Sequence, residues 1–210
     1  MSRFGADPHA FFNSVYNQVP PWDVGGPQQA MSALLAEHPP RGPILDVGCG
    51  SGNLAIALAQ LGHQVLGVDF VETAIANARE KAASLPSEVR RLLEFRVADA
   101  LKPSQLGQRF GSVVDSGFYH LFEPEQCESS IEDLAIALLP GGRYYLLAFA
   151  IEFSVSNAPR QVTEEELQTY FTSDKGWRIL KLRPAEFLNR VAFPVPAIGA
   201  CIERLDSSHA

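Results

Sequence analysis

Long apolar runs are missing from this chain of 210 residues. No stretch approaches the roughly 18 to 20 uninterrupted hydrophobic residues that a membrane-crossing helix needs. Its start, MSRFGADPHAFF, has no long apolar region of the secretory kind. These absences predict a cytoplasmic protein with no membrane partner. Cysteine is scarce as well: Cys49, Cys127 and Cys201 form no CxxC pair and are odd in number, which excludes a paired disulfide framework and suits a reducing compartment. The five histidines are far apart and none stands at helical or finger spacing from another, so no metal site is expected. Positive charge is thin. Against 24 Asp and Glu there are 17 Lys and Arg, a formal net charge of −7, and only Arg90 and Arg91 are adjacent. Binding a nucleic-acid backbone takes a clustered basic face, so no nucleic-acid partner is expected.

What is present is enough apolar material, 46 % of the chain, for one full core but not for two. From about residue 43 onward, short β-rich runs alternate with helical patterns, the signature of βαβ units around a parallel sheet. Strands are predicted at Pro43 to Val47, Gln64 to Val68, Leu92 to Val97, Gly111 to Asp115 and Arg143 to Ala150, with two more at Trp177 to Leu182 and Ala197 to Leu205. Several are apolar on consecutive residues, as strands covered on both faces are. Helices are predicted at Asn53 to Leu61, Val71 to Ser84, Pro124 to Leu139 and Thr163 to Phe171. Thr163 reads as an N-cap with a capping-box glutamate, and Pro140-Gly141-Gly142 as the stop between a helix and the next strand. Residues 1–42 break this rhythm with aromatics and turn formers before a helix at Gln28 to Glu37, and read as a cover over the site of a single domain spanning 43–205. Met1 to Pro8 and Asp206 to Ala210 are expected to fray.

The segment ILDVGCGSGN is an apolar strand running into a glycine-rich turn and then a helix, an arrangement that offers backbone N–H groups and a positive helix end to a ligand. Dinucleotide dehydrogenases place G-x-G-x-x-G here, but Asn53 stands where the third glycine belongs. Asp46 lies two residues before the first glycine, and Asp69 ends the next strand 23 residues later. This combination resembles motif I and the following acidic position of class I S-adenosylmethionine-dependent methyltransferases. The resemblance implies a Rossmann-like α/β fold, a seven-stranded and mostly parallel sheet with helices on both faces and one antiparallel strand near the edge. It implies S-adenosyl-L-methionine as cofactor, with the backbone of Gly48, Cys49 and Gly50 near its methionine portion, Asp46 ordering the ammonium end and Asp69 accepting from both ribose hydroxyls. A carboxylate suits a diol because it offers acceptors only. Asp99 and Ala100 match the position that holds adenine in this class, Phe70 would pack on the adenine face, and Ser116 is expected near the cofactor. Cys49 reads as a small loop residue, since no histidine or cysteine partner adjoins it.

Asp115-Ser-Gly-Phe-Tyr-His120 follows the fourth strand, at the carboxyl end of the sheet where ligands lie in open α/β folds. The Asn/Asp-Pro-Pro-Tyr/Phe motif of adenine and amide N-methylation is absent. His120, with an ordinary pKa near 6.5, is either a general base for a hydroxyl acceptor or a packed or solvent-facing ring with no chemical task, and Tyr119 reads as a wall residue. Over nearly the whole chain, FFNSVYNQVPPWDVGGPQQAM, DSGFYHLF and APRQVTEEELQTYF resemble a bacterial branch related to thiopurine, thiol and halide methyltransferases and to mycobacterial heterocyclic-toxin O-methyltransferases. That resemblance implies that Tyr16, Trp22 and Asp23 fold over the cofactor, with Trp22 facing its sulfonium. Relatives often carry Cys-Phe-Ser-Asp after the fifth strand; here Ala148-Phe149-Ala150-Ile151 makes an apolar wall suited to a flat or lipophilic acceptor. The leading expectation is methylation of a hydroxyl on an aromatic or heterocyclic small molecule. S- or halide methylation, and a non-catalytic cofactor-binding regulator, stand as alternatives. Oligomeric state is not legible.

Overall fold

The structure, a computed structural model, describes residues 4–155, 157–191 and 193–206. Its centre is a seven-stranded sheet built from β1 (Ile44–Val47), β2 (Val65–Asp69), β3 (Leu93–Val97), β4 (Phe110–Ser116), β5 (Leu138–Phe149), β6 (Trp177–Phe187) and β7 (Val195–Arg204). The order is β3-β2-β1-β4-β5-β7-β6. The first five are mutually parallel, and β7 runs antiparallel to both β5 and β6. β1 and β2 are buried at every residue, which is why their sequences do not alternate. Leu45, Val47, Val113 and Leu146 pack on one face with α6 (Pro124–Ala137) and α7 (Glu164–Tyr170). Ile44, Val65, Val114 and Tyr145 pack on the other with α2 (Gln29–Glu37), α3 (Asn53–Gln60) and α4 (Glu72–Ala83), and the short α5 (Ser87–Arg90) precedes β3. The strand order reverses between β1 and β4, and the crevice there is where an open α/β sheet takes its ligand. No helix of the described residues is long and apolar enough to cross a membrane.

Several elements differ from the sequence reading. A helix, α1 (Pro8–Tyr16), occupies part of the irregular N-terminal stretch; Asp7 caps it through the Ala10 amide at 2.9 Å and Pro8 takes the first helical position. Phe4, expected to fray, is buried against Phe11 and Phe12, with ring centroids 5.4 and 4.9 Å away. Residues 1–3 and 207–210 lie outside the described residues. Pro140-Gly141-Gly142 does not separate helix from strand: α6 already ends at Ala137, and the tripeptide lies inside β5 where its register with β4 shifts. β6 continues beyond Leu182 through Pro184, which an edge strand tolerates because the missing N–H can fall on the unpaired side. Thr163 does cap α7, accepting from the Glu166 amide at 3.1 Å. The Glu166 carboxylate is drawn instead to Tyr119 and Arg160, so the box is not completed.

Candidate active site

The turn after β1 is shaped by left-handed backbone. Gly48 has φ +61° and Gly50 φ +53°, and a side-chain carbon on Gly50 would lie 2.6 Å from the Tyr16 hydroxyl. Only glycine fits. Asp69 straps this turn to the end of β2: its Oδ2 accepts from the Gly50 amide and its Oδ1 from the Val71 amide, both at 2.9 Å. Burial raises its pKa against the pull of those amides. Asp46 is fully enclosed, and burial pushes its carboxyl well above the usual range although the Ala55 amide donates to it. Its Oδ2 has no partner among the described residues. A buried acceptor left open in this way calls for a donor from a ligand. Cys49 packs its sulfur under the loop beside Gly67, where burial keeps the thiol protonated. That is the environment of a structural cysteine.

Above the loop, Tyr16 and Trp22 meet edge to face at 6.1 Å. Asp23 ties this cover down. Its carboxylate accepts from Ser51 Oγ at 2.5 Å, Asn53 Nδ2 at 2.7 Å, Lys81 Nζ at 3.1 Å and the Gly25 amide at 3.0 Å. Partial burial works against ionisation, but these donors hold the pKa at about 2. Lys81 also donates to Ser51 Oγ and Asn53 Oδ1, so one ammonium joins cover, glycine loop and α4. Gln28 pins the cover from the other side, exchanging bonds of 2.7 and 3.0 Å with the Leu188 backbone. Sequence reading found Asp23 but not Ser51, Asn53, Lys81 or Gln28, because their partners lie 28 to 160 residues away.

Beyond β4 the chain makes a short 3-10 turn, Tyr119–Leu121. Asp115 holds it, accepting from the Phe118 and Tyr119 amides and from Tyr144 Oη at 2.8 Å. Burial raises Asp115 to about 6 in spite of those bonds. Behind the turn, Arg160 bonds both oxygens of Glu166 at 2.7 and 2.8 Å, donates to the Phe122 carbonyl, and lies 5.0 Å over the Tyr119 ring. Tyr119 donates to Glu166 as well. Tyr119 is thus part of this rear support. His120, only 3 % exposed, stacks on Phe149 at 4.4 Å and 6° and leans on Phe187. Its Nδ1 accepts from the Phe149 amide at 3.1 Å. Burial, with the Arg160 charge adding to it, lowers its pKa to about 3. In that geometry the ring nitrogen that could accept a proton is already bonded to a backbone amide.

One cavity of about 170 Å³, open at its mouth, joins these parts. Tyr16, Trp22, Asp46, Gly48, Cys49, Gly50, Asp69, Phe70, Ser116 and His120 all line it. Asp99 and Ala100 do not. Asp99 is exposed and spends its Oδ1 on the Leu101 amide at 2.9 Å, and Ala100 faces a separate small void beside Phe118. The expectation that these two hold a ligand ring therefore has no support from the cavity's lining. Asp23, Asp46 and Asp69 are its acidic residues, and no Lys or Arg is among the lining residues. Such a cavity favours a cationic ligand.

Residues 44–142 match the family model described as a methyltransferase domain. The chain is 33 % identical over 170 residues to a 2-heptyl-1-hydroxyquinolin-4(1H)-one methyltransferase of Mycobacteroides abscessus, covering 79 % of this chain and 72 % of that one. It belongs to the S-adenosylmethionine-dependent methyltransferases. A probable thiol methyltransferase of Arabidopsis thaliana is 28 % identical over 70 % of this chain and 65 % of its own length. A solved structure concerned with conversion of a disulfide bond into a thioacetal group during echinomycin biosynthesis superposes with a TM-score of 0.80 at 30 % identity, covering 95 % of this chain and 94 % of that one. As a methyltransferase of this family the chain is an enzyme that takes its methyl group from S-adenosylmethionine and acts on a small molecule.

Proposed function

We propose that the enzyme methylates a hydroxyl oxygen of a flat, largely apolar small molecule. The observation that carries the reading is the continuity of the cavity: an acidic, glycine-built end runs into a wall of Phe149 and Phe187 without a basic side chain between. The acidic end suits S-adenosylmethionine, which brings an ammonium, a sulfonium and a diol. Asp46 Oδ2 is the open acceptor for the ammonium, and the Gly48–Gly50 backbone borders the methionine portion. Each Asp69 oxygen spends one lone pair on an amide and keeps one for a ribose hydroxyl. Phe70 offers a face to the adenine, and Trp22, 37 % exposed at the mouth, offers one to the sulfonium. When bound, the cofactor supplies an activated methyl group. The protein's task is then to hold an acceptor in line with it and to keep water out.

Residues 1–42 act in this reading as a cover that tightens once the cofactor fills the site, with Tyr16 and Trp22 gaining a packing surface and Asp23 keeping the hinge closed. The similarity to the mycobacterial hydroxyquinolone enzyme favours oxygen as the acceptor. The likeness to a thiol methyltransferase and to the thioacetal-forming protein favours sulfur as the second reading. A mass-spectrometric screen for gain of one methyl on pooled phenols, hydroxyquinolones, thiols and halides decides between them. Turnover confined to thiols would displace the oxygen reading, and saturable cofactor binding without turnover on any acceptor would leave a regulator.

A further inference from the structure

Past Ser116 the chain of β4 turns away from β5. The last bond between them runs from the Gly117 amide to the Leu147 carbonyl at 2.9 Å. The next β5 amide in line, that of Phe149, donates to His120 Nδ1 at 3.1 Å, so the side chain stands in for a missing strand carbonyl. An amide N–H only donates. Nδ1 is therefore the unprotonated nitrogen, and a neutral imidazole carries its hydrogen on Nε2. The ring cannot exchange tautomers without breaking this bond, and it is held flat by Phe149 and from behind by the Arg160 amide, which donates to the His120 carbonyl at 3.0 Å. Nε2 has no partner among the described residues, and His120 lines the cavity.

Building on the O-methylation reading, we propose that His120 is a donor: its Nε2–H holds the reacting oxygen of an acceptor that arrives already ionised. The substrate class is then flat apolar compounds whose hydroxyl is an anion near neutral pH, such as N-hydroxy heterocycles, acidic enols and acidic phenols. Charge supports this order of events. No Lys or Arg lines the free cavity to attract an anion, whereas bound sulfonium supplies a positive charge at the reacting carbon. In the transfer, the oxygen lone pair forms the new O–C bond as the C–S bond breaks. The C–S electron pair stays on sulfur, the two opposite charges cancel, and no proton is released. The methylated oxygen is a weaker acceptor for Nε2–H, which favours product release. The groups facing the ring are the Arg160 charge from the strap behind it and the uncharged Phe149 and Phe187; Asp115 spends its oxygens on the turn's amides and Tyr144.

Nitrogen-15 NMR of the full chain saturated with S-adenosylhomocysteine tests the tautomer, with His120→Gln identifying the signal. The expected result is an unprotonated Nδ1 and a protonated Nε2 that do not change between about pH 5 and 8; a ring that titrates there, or an unprotonated Nε2, overturns the proposal. The second measurement is affinity for a 1-hydroxyquinolin-4-one and for its O-methyl ether in protein loaded with sinefungin, whose amine carries a positive charge where the cofactor has its sulfonium. Wild type should prefer the anion, His120→Phe should lose about 10- to 100-fold of that preference, and His120→Gln, which keeps an acceptor and a donor, should retain most of it. A full preference in His120→Phe, or an equal loss in both variants, overturns the donor role. Wild-type protein that methylates no hydroxyl compound removes the O-methylation reading and this proposal together. Wild-type protein that methylates one but carries a titrating ring removes the proposal alone.

Discussion

The two ends of the cavity are made of different material. The glycine-loop end is built from backbone, with left-handed glycines and amides tied to Asp69, and its charge comes from buried carboxylates. The aromatic end is built from side chains drawn from the turn after β4, β5 and β6, held together by the contacts of Phe149 with His120 and Phe187. Backbone construction leaves few solutions, because a loop that presents amides to a ligand needs glycine at fixed places. Aromatic walls admit many, since packing tolerates substitution when volume is kept. The first end should therefore be brittle and common to the family, and the second tolerant and particular to this chain.

The largest effect is expected from Asp69→Ala, which removes both loop straps and both remaining acceptors. Cofactor affinity should fall by roughly 2 to 4 kcal/mol, from two bonds to a charged group at about 1.5 to 3 each. Calorimetry on the folded variant measures it. An unchanged dissociation constant would mean that Asp69 serves the loop alone. Next comes pH. Burial lets Asp46 keep its proton to higher pH in the free protein, and an ammonium beside it favours the charged form, so binding releases a proton. Affinity should then weaken as pH falls, by at most about tenfold per pH unit, and Asp46→Asn should bind weakly with a flatter profile. A variant slope equal to wild type would assign the linkage elsewhere, with Asp69 the first candidate.

Lys81→Met cuts the latch while sparing everything that lines the cavity. A loss of about 1 kcal/mol in cofactor affinity is expected, modest because the ammonium is partly solvated. Proteolysis between residues 10 and 27 should speed up in the same variant. Equal cleavage rates with and without cofactor in wild type would show that the cover does not tighten. The smallest effect tests the tolerant end. Phe149→Leu should raise the acceptor KM by the equivalent of about 0.5 to 1 kcal/mol, the value of an aromatic contact, and leave the cofactor dissociation constant unchanged.

This division also explains what the sequence made legible. Strands β1 and β2, the glycine turn and the acids Asp46 and Asp69 could be read because their signal is local: consecutive apolar residues, glycines at fixed spacing, an acid at a strand end. The antiparallel seventh strand was likewise expected. Helix α1 was missed because Phe11, Phe12 and Tyr16 resembled loose cover, although Asp7 and Pro8 carried a usable start signal. The partners of Asp23 and the rear cluster of Arg160, Glu166 and Tyr119 could not be paired from spacing, as tertiary folding alone brings them together. For His120 the residue was visible and its tautomer was not, since that depends on an amide 29 positions away.

The rear cluster has a bearing on how such an enzyme changes over generations. Arg160 fixes the backbone of the turn that carries His120 through its bonds to the Phe122 and His120 carbonyls, so the turn's place depends little on the rest of the cavity wall. Wall substitutions that spare Phe149, on which the ring stacks, are then free to trade one acceptor shape for another while the chemistry at the ring stays in place. Drift in diet and constancy in reaction become separable properties of one small domain.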